Sequence, residues 1–199
     1  MKRAIYLGAI FLGLLIVCAD ARAALDIGVR GGYAHATGDV FEGSGDVGGG
    51  GLYGIVAGLG FTDALQLELA YEHYTKDFSF DEAVHGGTIF FGDGKYEDQA
   101  YLLTGKVQFF RLVPTPIGLY GGAGVSLHSL DITVDSGEAT VPDFGEKKNE
   151  FEWHLVAGAG LRVPGLPLRA YGEYRYQNIT GSADIRFSSL YAGVNLVLE

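Results

Sequence analysis

The stretch that decides the fold is Tyr53-Gly54-Ile55-Val56-Ala57-Gly58-Leu59-Gly60-Phe61-Thr62-Asp63-Ala64-Leu65-Gln66-Leu67-Glu68-Leu69-Ala70-Tyr71-Glu72. Up to Phe61, every second residue is apolar or aromatic: Tyr53, Ile55, Ala57, Leu59 and Phe61. After Thr62-Asp63-Ala64 the pattern resumes with Leu65, Leu67, Leu69 and Tyr71, set against Gln66, Glu68 and Glu72. Side chains of a β-strand point alternately to its two faces, so a period of two gives one greasy face and one polar face. Two such runs joined by so short a break read as a hairpin.

The same alternation recurs on both sides of this hairpin. Upstream, Leu25, Ile27, Val29, Gly31 and Tyr33 alternate with Asp26, Gly28, Arg30 and Gly32. Downstream, Tyr101, Leu103, Val107 and Phe109 oppose Thr104, Lys106 and Gln108, and Ile117, Leu119, Ala123, Val125 and Leu127 continue the series. Trp153, Leu155, Ala157, Ala159, Leu161 and Val163 form the next apolar face. Then Leu168, Ala170, Tyr174 and Tyr176 oppose Arg169, Tyr171, Glu173, Arg175 and Gln177, and the chain closes on Leu190, Ala192, Val194, Leu196 and Leu198. The pattern predicts eight strands in an antiparallel, up-and-down β-barrel.

Connections alternate in length. Those at 62–64, near Pro114 and Pro116, and at Pro164-Gly165-Leu166-Pro167 are short turns, the proline-containing ones because proline cannot donate to a ladder. Those near 36–52, 76–99, 130–151 and 178–186 are expected to be longer loops rich in Gly, Asp and Glu. An even strand count with short turns at one end and long loops at the other is the arrangement of a transmembrane barrel, with both chain ends on the short-turn side.

The face that carries the charges separates a membrane barrel from a soluble one. Arg30, Glu68, Glu72, Lys106, Glu173 and Arg175 all lie on the polar face, mostly in mid-strand. A soluble barrel of this size would turn them outward. The opposite face is aliphatic along its middle. Its aromatic residues gather towards the long-loop ends, at Tyr33, Tyr53, Tyr71, Tyr101, Trp153, Tyr174 and Tyr176, while Phe61 and Phe109 mark the other rim. Two aromatic bands around an aliphatic zone match a lipid slab with two polar interfaces. A Lys or Arg facing lipid at mid-depth costs about 2–4 kcal/mol, so these six charges are expected to enclose a lumenal ion-pair network.

Composition agrees with a folded, β-rich chain: 32 Gly and 5 Pro accompany 12 Tyr and 12 Phe in 199 residues. The formal charge of −10 argues against a nucleic-acid partner, which needs clustered Lys and Arg. Lys2 and Arg3 ahead of the apolar run from Ala4 to Val17, followed by Ala21-Arg22-Ala23, read as a cleavable signal peptide. Residues 1–23 are therefore assigned to the signal and 24–199 to the barrel. Cys18 is the one cysteine and falls within the signal.

Alternation, turn pattern and chain ending together resemble the small outer-membrane barrels of the OmpA and OmpX kind, over the whole mature segment. The terminal Tyr191-Ala192-Gly193-Val194-Asn195-Leu196-Val197-Leu198 is similar to the C-terminal strand by which the barrel-assembly machinery recognises that group. Tyr191, Gly193, Leu196 and Leu198 carry the match. The family usually ends in an aromatic residue, where this chain has Leu198 followed by Glu199. The resemblance implies a Gram-negative outer-membrane location, reached through the periplasm, with lipid and lipopolysaccharide as partners. A closed sheet has no edge that demands a second copy, so a monomer is expected.

Three functions are weighed. The leading one is a structural or surface-interaction role, in which acidic residues such as Asp39, Glu42, Asp93, Glu97, Asp98, Asp143 and Glu146 face lipopolysaccharide, bridged by divalent cations, or an extracellular ligand. Phe78, Phe80, Ile89, Phe90 and Phe91 are further candidate contacts. The second is a small gated pore, with Glu68 and Lys106 as the pair to neutralise. The third is a lipid A-modifying enzyme built on His128, Ser129 and Asp131. It is disfavoured because successive strand residues point to opposite faces. No enzyme activity, cofactor or metal site is expected.

Overall fold

The computed structural model describes residues 24–39, 46–62, 64–85, 88–112, 116–135, 148–180 and 184–198. The proposed signal peptide lies outside the described residues. Eight strands follow in order: β1 (Ala24–Asp39), β2 (Asp46–Gly60), β3 (Leu65–His85), β4 (Thr88–Leu112), β5 (Ile117–Asp135), β6 (Lys148–Arg162), β7 (Leu168–Thr180) and β8 (Asp184–Leu198). Each pairs antiparallel with the next. The barrel closes where β1 meets β8, from Leu25 opposite Leu198 to Thr37 opposite Arg186. Between the aromatic bands closure pairs each strand on both sides, which satisfies backbone groups that hydrocarbon could not.

The short turns follow from local chemistry. In Val163-Pro164-Gly165-Leu166 the Leu166 amide donates to the Val163 carbonyl at 3.2 Å, and Gly165 has φ of 75°. That is a type II turn, with proline presetting the first corner and glycine supplying the left-handed second one. In the 62–64 turn, Thr62 Oγ1 accepts from the amides of Ala64 and Leu65 at 3.2 and 3.0 Å.

The strands are longer than the alternation indicates. β3 has 21 residues and β4 has 25, and their register runs on to His85 opposite Thr88. The segment 76–99, expected as a loop, is therefore mostly paired strand, and β1, β2, β5, β6, β7 and β8 also extend into the predicted loops. Crossing a membrane takes about 9–11 strand residues. The excess lies beyond the tyrosine band, where water bathes the outer face and no longer imposes an apolar parity.

At that band the barrel turns its chemistry inside out. Below it the outer wall carries Ile27, Val29, Ile55, Leu103, Val107, Leu155 and Val194, all exposed, while Arg30, Glu68, Lys106, Glu173 and Arg175 are buried inside. Above it the interior is aromatic: Tyr74, Tyr96 and Phe187 are buried with ring centroids 5.7–6.5 Å apart. The outer wall there carries His35, Asp77, Lys95 and Arg186, all exposed. The upper part is thus built as a water-soluble barrel stacked on a lipid-soluble one. Outside the membrane, Lys95 forms an ion pair with Glu97, and its hydrogen bond holds the Glu97 carboxyl below the usual range.

Candidate functional site

The lumen is stacked in storeys along the barrel axis. The central storey is ionic. Arg30 Nη1 donates to Glu68 Oε1 at 2.8 Å, and its Nη2 pairs with Glu72. Lys106 Nζ is shared between Glu68 Oε2 at 2.6 Å and Glu173 Oε2 at 2.5 Å. Arg175 holds Glu72 through two hydrogen bonds and lies 3.6 Å from Glu173. The six residues singled out by alternation thus come together as three cations and three carboxylates, formally neutral and all buried. Balance is required, because a lone charge taken out of water costs several kcal/mol while a hydrogen-bonded cluster offsets that penalty.

Tyrosines lie among these charges. The Tyr191 ring lies beneath both guanidiniums, 4.5 Å from Arg175 Cζ and 5.2 Å from Arg30 Cζ, and its hydroxyl donates to Glu72 Oε2 at 3.3 Å. Lys106 Nζ lies 5.1 Å from the Tyr120 ring and 5.7 Å from that of Tyr171. These π faces attract the cations on their unpaired sides. Tyr191, read from sequence as part of the insertion signal, is therefore lumenal, as is Gly193, which lies against the Tyr171 ring. Leu196 and Leu198 face outward. Parity was the available clue for Tyr191, since it alternates with the outward Leu190 and Ala192.

Glycines on the inner wall make room for this filling. A Cβ at Gly158 would lie 2.5 Å from the Tyr120 ring, and one at Gly124 would lie 2.5 Å from His154 Nε2. A second contact, apolar, runs through Val56, Ala70, Ala100 and Leu102 on β2, β3 and β4.

Above the ions lies a cluster that sequence reading missed. His128 Nδ1 lies 2.6 Å from Asp98 Oδ2, and its Nε2 pairs with Glu152. Gln177 Nε2 and Ser126 Oγ each donate to Glu152 Oε1 at 3.2 Å, and Thr104 Oγ1 lies 2.8 Å from His154 Nε2. Asp98, assigned from sequence to an acidic loop, is a buried lumenal residue of β4, because the ladder continues past the tyrosine band. Ser129 follows His128 on the opposite face, and the Asp131 side chain lies outside the described residues. Among the described residues no group of three His, Cys, Asp or Glu side chains converges on a metal position.

On the outer wall Tyr33, Tyr53, Tyr101, Phe109, Trp153 and Tyr174 are exposed, with Phe61, Tyr71 and Tyr176 half-buried. Tyr71 and Tyr101 meet at 5.2 Å, and Trp153 and Tyr176 at 6.1 Å. The side chains of Asp39, Glu42, Asp93, Asp143, Glu146, Phe78, Phe80, Ile89, Phe90 and Phe91 lie outside the described residues.

A closed antiparallel barrel with an aliphatic belt outside and ionised groups inside defines a transmembrane β-barrel. The chain belongs to the outer membrane protein beta-barrel domain family, whose model matches residues 9–197. Among solved structures, Neisserial surface protein A aligns with a TM-score of 0.61 and 18% identity, covering 87% of this chain and 97% of that one. Ail, the attachment invasion locus protein of Yersinia pestis, aligns with a TM-score of 0.56 and 12% identity over 88% and 99% of the two chains. OprG from Pseudomonas aeruginosa gives 0.54 and 13% over 89% and 95%. At these identities the shared feature is the fold. No curated protein gives a significant match.

Proposed function

We propose that this protein is a monomeric, closed barrel of the Gram-negative outer membrane whose role is structural or surface interaction rather than conduction. The supporting observation is the packing of the lumen. Arg175 and His154 are 0% exposed, and Glu152 and Glu173 are 1% exposed, so water reaches none of these side chains in mid-barrel. An eight-stranded interior is just wide enough for side chains to fill it. With the lumen closed, the surfaces left for interaction are the lipid belt and the upper part of the barrel, which β3 and β4 carry furthest from the membrane. Outer-membrane lipid and lipopolysaccharide are the partners this reading assigns, and the barrel-assembly machinery acts during insertion. The fold likeness to an attachment invasion locus protein accords with an interaction role.

The test replaces residues 79–92 with a two-residue turn. The shortened protein is expected to keep the heat-sensitive gel mobility of an intact barrel while its binding to lipopolysaccharide-containing vesicles or to cells falls. Steady single-channel conductance from the wild-type protein would instead establish a pore.

The gated pore is the second reading, favoured by the sharing of Lys106 between Glu68 and Glu173. A cation with two carboxylate partners can exchange one for the other. If that exchange opens a path, Glu68→Gln and Lys106→Met will change channel open probability in planar bilayers. Silence in both variants removes the pore reading.

A further inference from the structure

Among the described residues the ladder between β6 and β7 ends early. Its last pair is Trp153 opposite Asn178, although β6 starts at Lys148 and β7 runs to Thr180. Glu152 is thus the first β6 residue past the end of that ladder. A side-chain contact carries the seam on: Gln177 Nε2 on β7 donates to Glu152 Oε1 at 3.2 Å. The same oxygen accepts from Ser126 Oγ on β5 at 3.2 Å and pairs with His128 Nε2. One buried carboxylate therefore ties β7 to β5 where the backbone pairing of β6 with β7 has stopped.

What holds Glu152 is a shared imidazole. His128 Nδ1 lies 2.6 Å from Asp98 Oδ2 while Nε2 meets Glu152, so both ring nitrogens face carboxylate oxygens. A neutral imidazole has a single N–H, and one of the two contacts would then set lone pair against lone pair. Both are hydrogen bonds only if each holds a proton, and the ring is the most basic of the three groups. His154, the other buried histidine, differs. Its nitrogens meet the hydroxyls of Thr104 at 2.8 Å and Ser126 at 3.4 Å, which donate or accept equally well, so it needs no second proton.

The groups around His128 decide what losing that proton does. Asp98 faces it from β4 and Glu152 from β6, while Gln177 from β7 and Ser126 from β5 are neutral. Tyr74 on β3 is within electrostatic reach of Asp98, and Phe187 on β8 stands opposite Gln177. Of the cations below, Arg175 and Arg30 are held by Glu72. His128 stands opposite Ala100, one residue beyond Tyr101 of the tyrosine band. Burial by itself would strip the ring of its charge, but the Asp98 carboxylate and the hydrogen bonds to Asp98 and Glu152 outweigh it and raise its proton affinity. Asp98 Oδ1 and Glu152 Oε2 have no hydrogen-bond partner. Without the cation between them, the two carboxylates repel in a medium of low dielectric, and water is the better place for Glu152.

We propose that His128 is a proton-operated latch on the β6–β7 seam: the imidazolium holds Glu152 in place, and loss of its second proton on the alkaline side releases Glu152 and parts the upper ends of the two strands. The folded barrel holds this proton more tightly than an unfolded chain does. The stabilisation is therefore complete below the ordinary histidine range and is lost as pH rises through the folded value. The ionic storey, with its own balanced charges, stays closed throughout.

The test follows the proton and the seam separately, in the folded protein in lipid vesicles. Nitrogen NMR of the histidine rings reads the first. Spin labels on Phe151→Cys and Asn178→Cys, outward positions on either side of the seam, read the second by their dipolar broadening. At about pH 8, where a free imidazole has lost its second proton, His128 is expected to carry protons on both nitrogens and His154 on one. As pH is raised further, the labels are expected to move apart with the same midpoint at which His128 loses its proton. In His128→Gln this alkaline step is expected to be lost while the heat-sensitive gel mobility is kept. Should that variant not fold, the agreement or disagreement of the two midpoints in the protein that retains His128 still decides. The proposal is overturned by a His128 ring with one proton at that pH, by labels that stay together while His128 titrates, or by an alkaline step that persists in folded His128→Gln.

Discussion

Arg175 on β7 grips Glu72 on β3 across the lumen through two hydrogen bonds, Nη1 to Oε2 at 2.7 Å and Nη2 to Oε1 at 3.1 Å. Such fork-on-fork geometry is the strong form of a charge-assisted contact. Because the two strands are not neighbours, the contact ties opposite walls of the barrel together. Glu72 also serves Arg30 and Tyr191. Glu72→Gln leaves two buried guanidiniums short of a carboxylate and is expected to destabilise the barrel by about 3–5 kcal/mol. Urea unfolding in vesicles measures this. Glu97→Gln, whose pair with Lys95 stands in water, is expected to leave the midpoint unchanged, so equal effects from both variants would refute burial as the cause.

The inner glycines give a steric prediction. A Cβ at Gly158 would meet both the Tyr120 ring at 2.5 Å and the Gly172 carbonyl at 2.6 Å, and backbone cannot swing aside as a side-chain tip can. Gly158→Ala is therefore expected to cost about 1–3 kcal/mol or to prevent closure. Gly51 has nothing within 4 Å of the same position, so Gly51→Ala serves as the neutral comparison. A Gly158→Ala barrel with native unfolding behaviour would mean that Tyr120 does not occupy that space.

How far the sequence carries depends on which solvent each residue meets. Between the aromatic bands lipid enforces parity, so Val29, Leu103 and Leu155 read as outward and Arg30, Glu68 and Lys106 as inward from alternation alone. Beyond the tyrosine band that constraint ends. Asp98 then looks like a surface acid although it is buried against His128. Partner choice is also invisible in one dimension. That Arg175 reaches Glu72 while Lys106 divides itself between Glu68 and Glu173 depends on the register and closure of the barrel, which single strands do not encode. The inward position of Tyr191 is legible by parity, since it alternates with the outward Leu190 and Ala192, but its place against the Arg30 and Arg175 guanidiniums is not.

Orientation is open to a direct charge test. Val29 is 61% exposed on the lipid belt, whereas His35 stands on the same face of β1 above the tyrosine band. Val29→Lys is expected to lose about 2–4 kcal/mol in bilayer refolding experiments, the depth-dependent cost of a lysine in hydrocarbon. His35→Lys should be nearly silent. Two equal penalties would place both residues at one depth and contradict the reversal of wall chemistry between them.

The reversal also predicts that the two halves of the barrel can be uncoupled. Phe187 is buried with its ring 5.7 Å from Tyr74 and 6.5 Å from Tyr96, opposite Gln177 in the β7–β8 register and outside the reach of lipid. Phe187→Ala removes an aromatic core contact worth about 3–5 kcal/mol in a water-facing barrel. The lipid-facing half keeps its ion pairs and its belt, and its ladder has no water to exchange with. Hydrogen exchange should therefore accelerate at the amides of Tyr74, Tyr96 and Phe187's neighbours while those of Val29, Leu103 and Leu155 keep their protection. Uniform acceleration over all eight strands would show a single cooperative unit, and no acceleration anywhere would show that the three rings do not hold the upper barrel together.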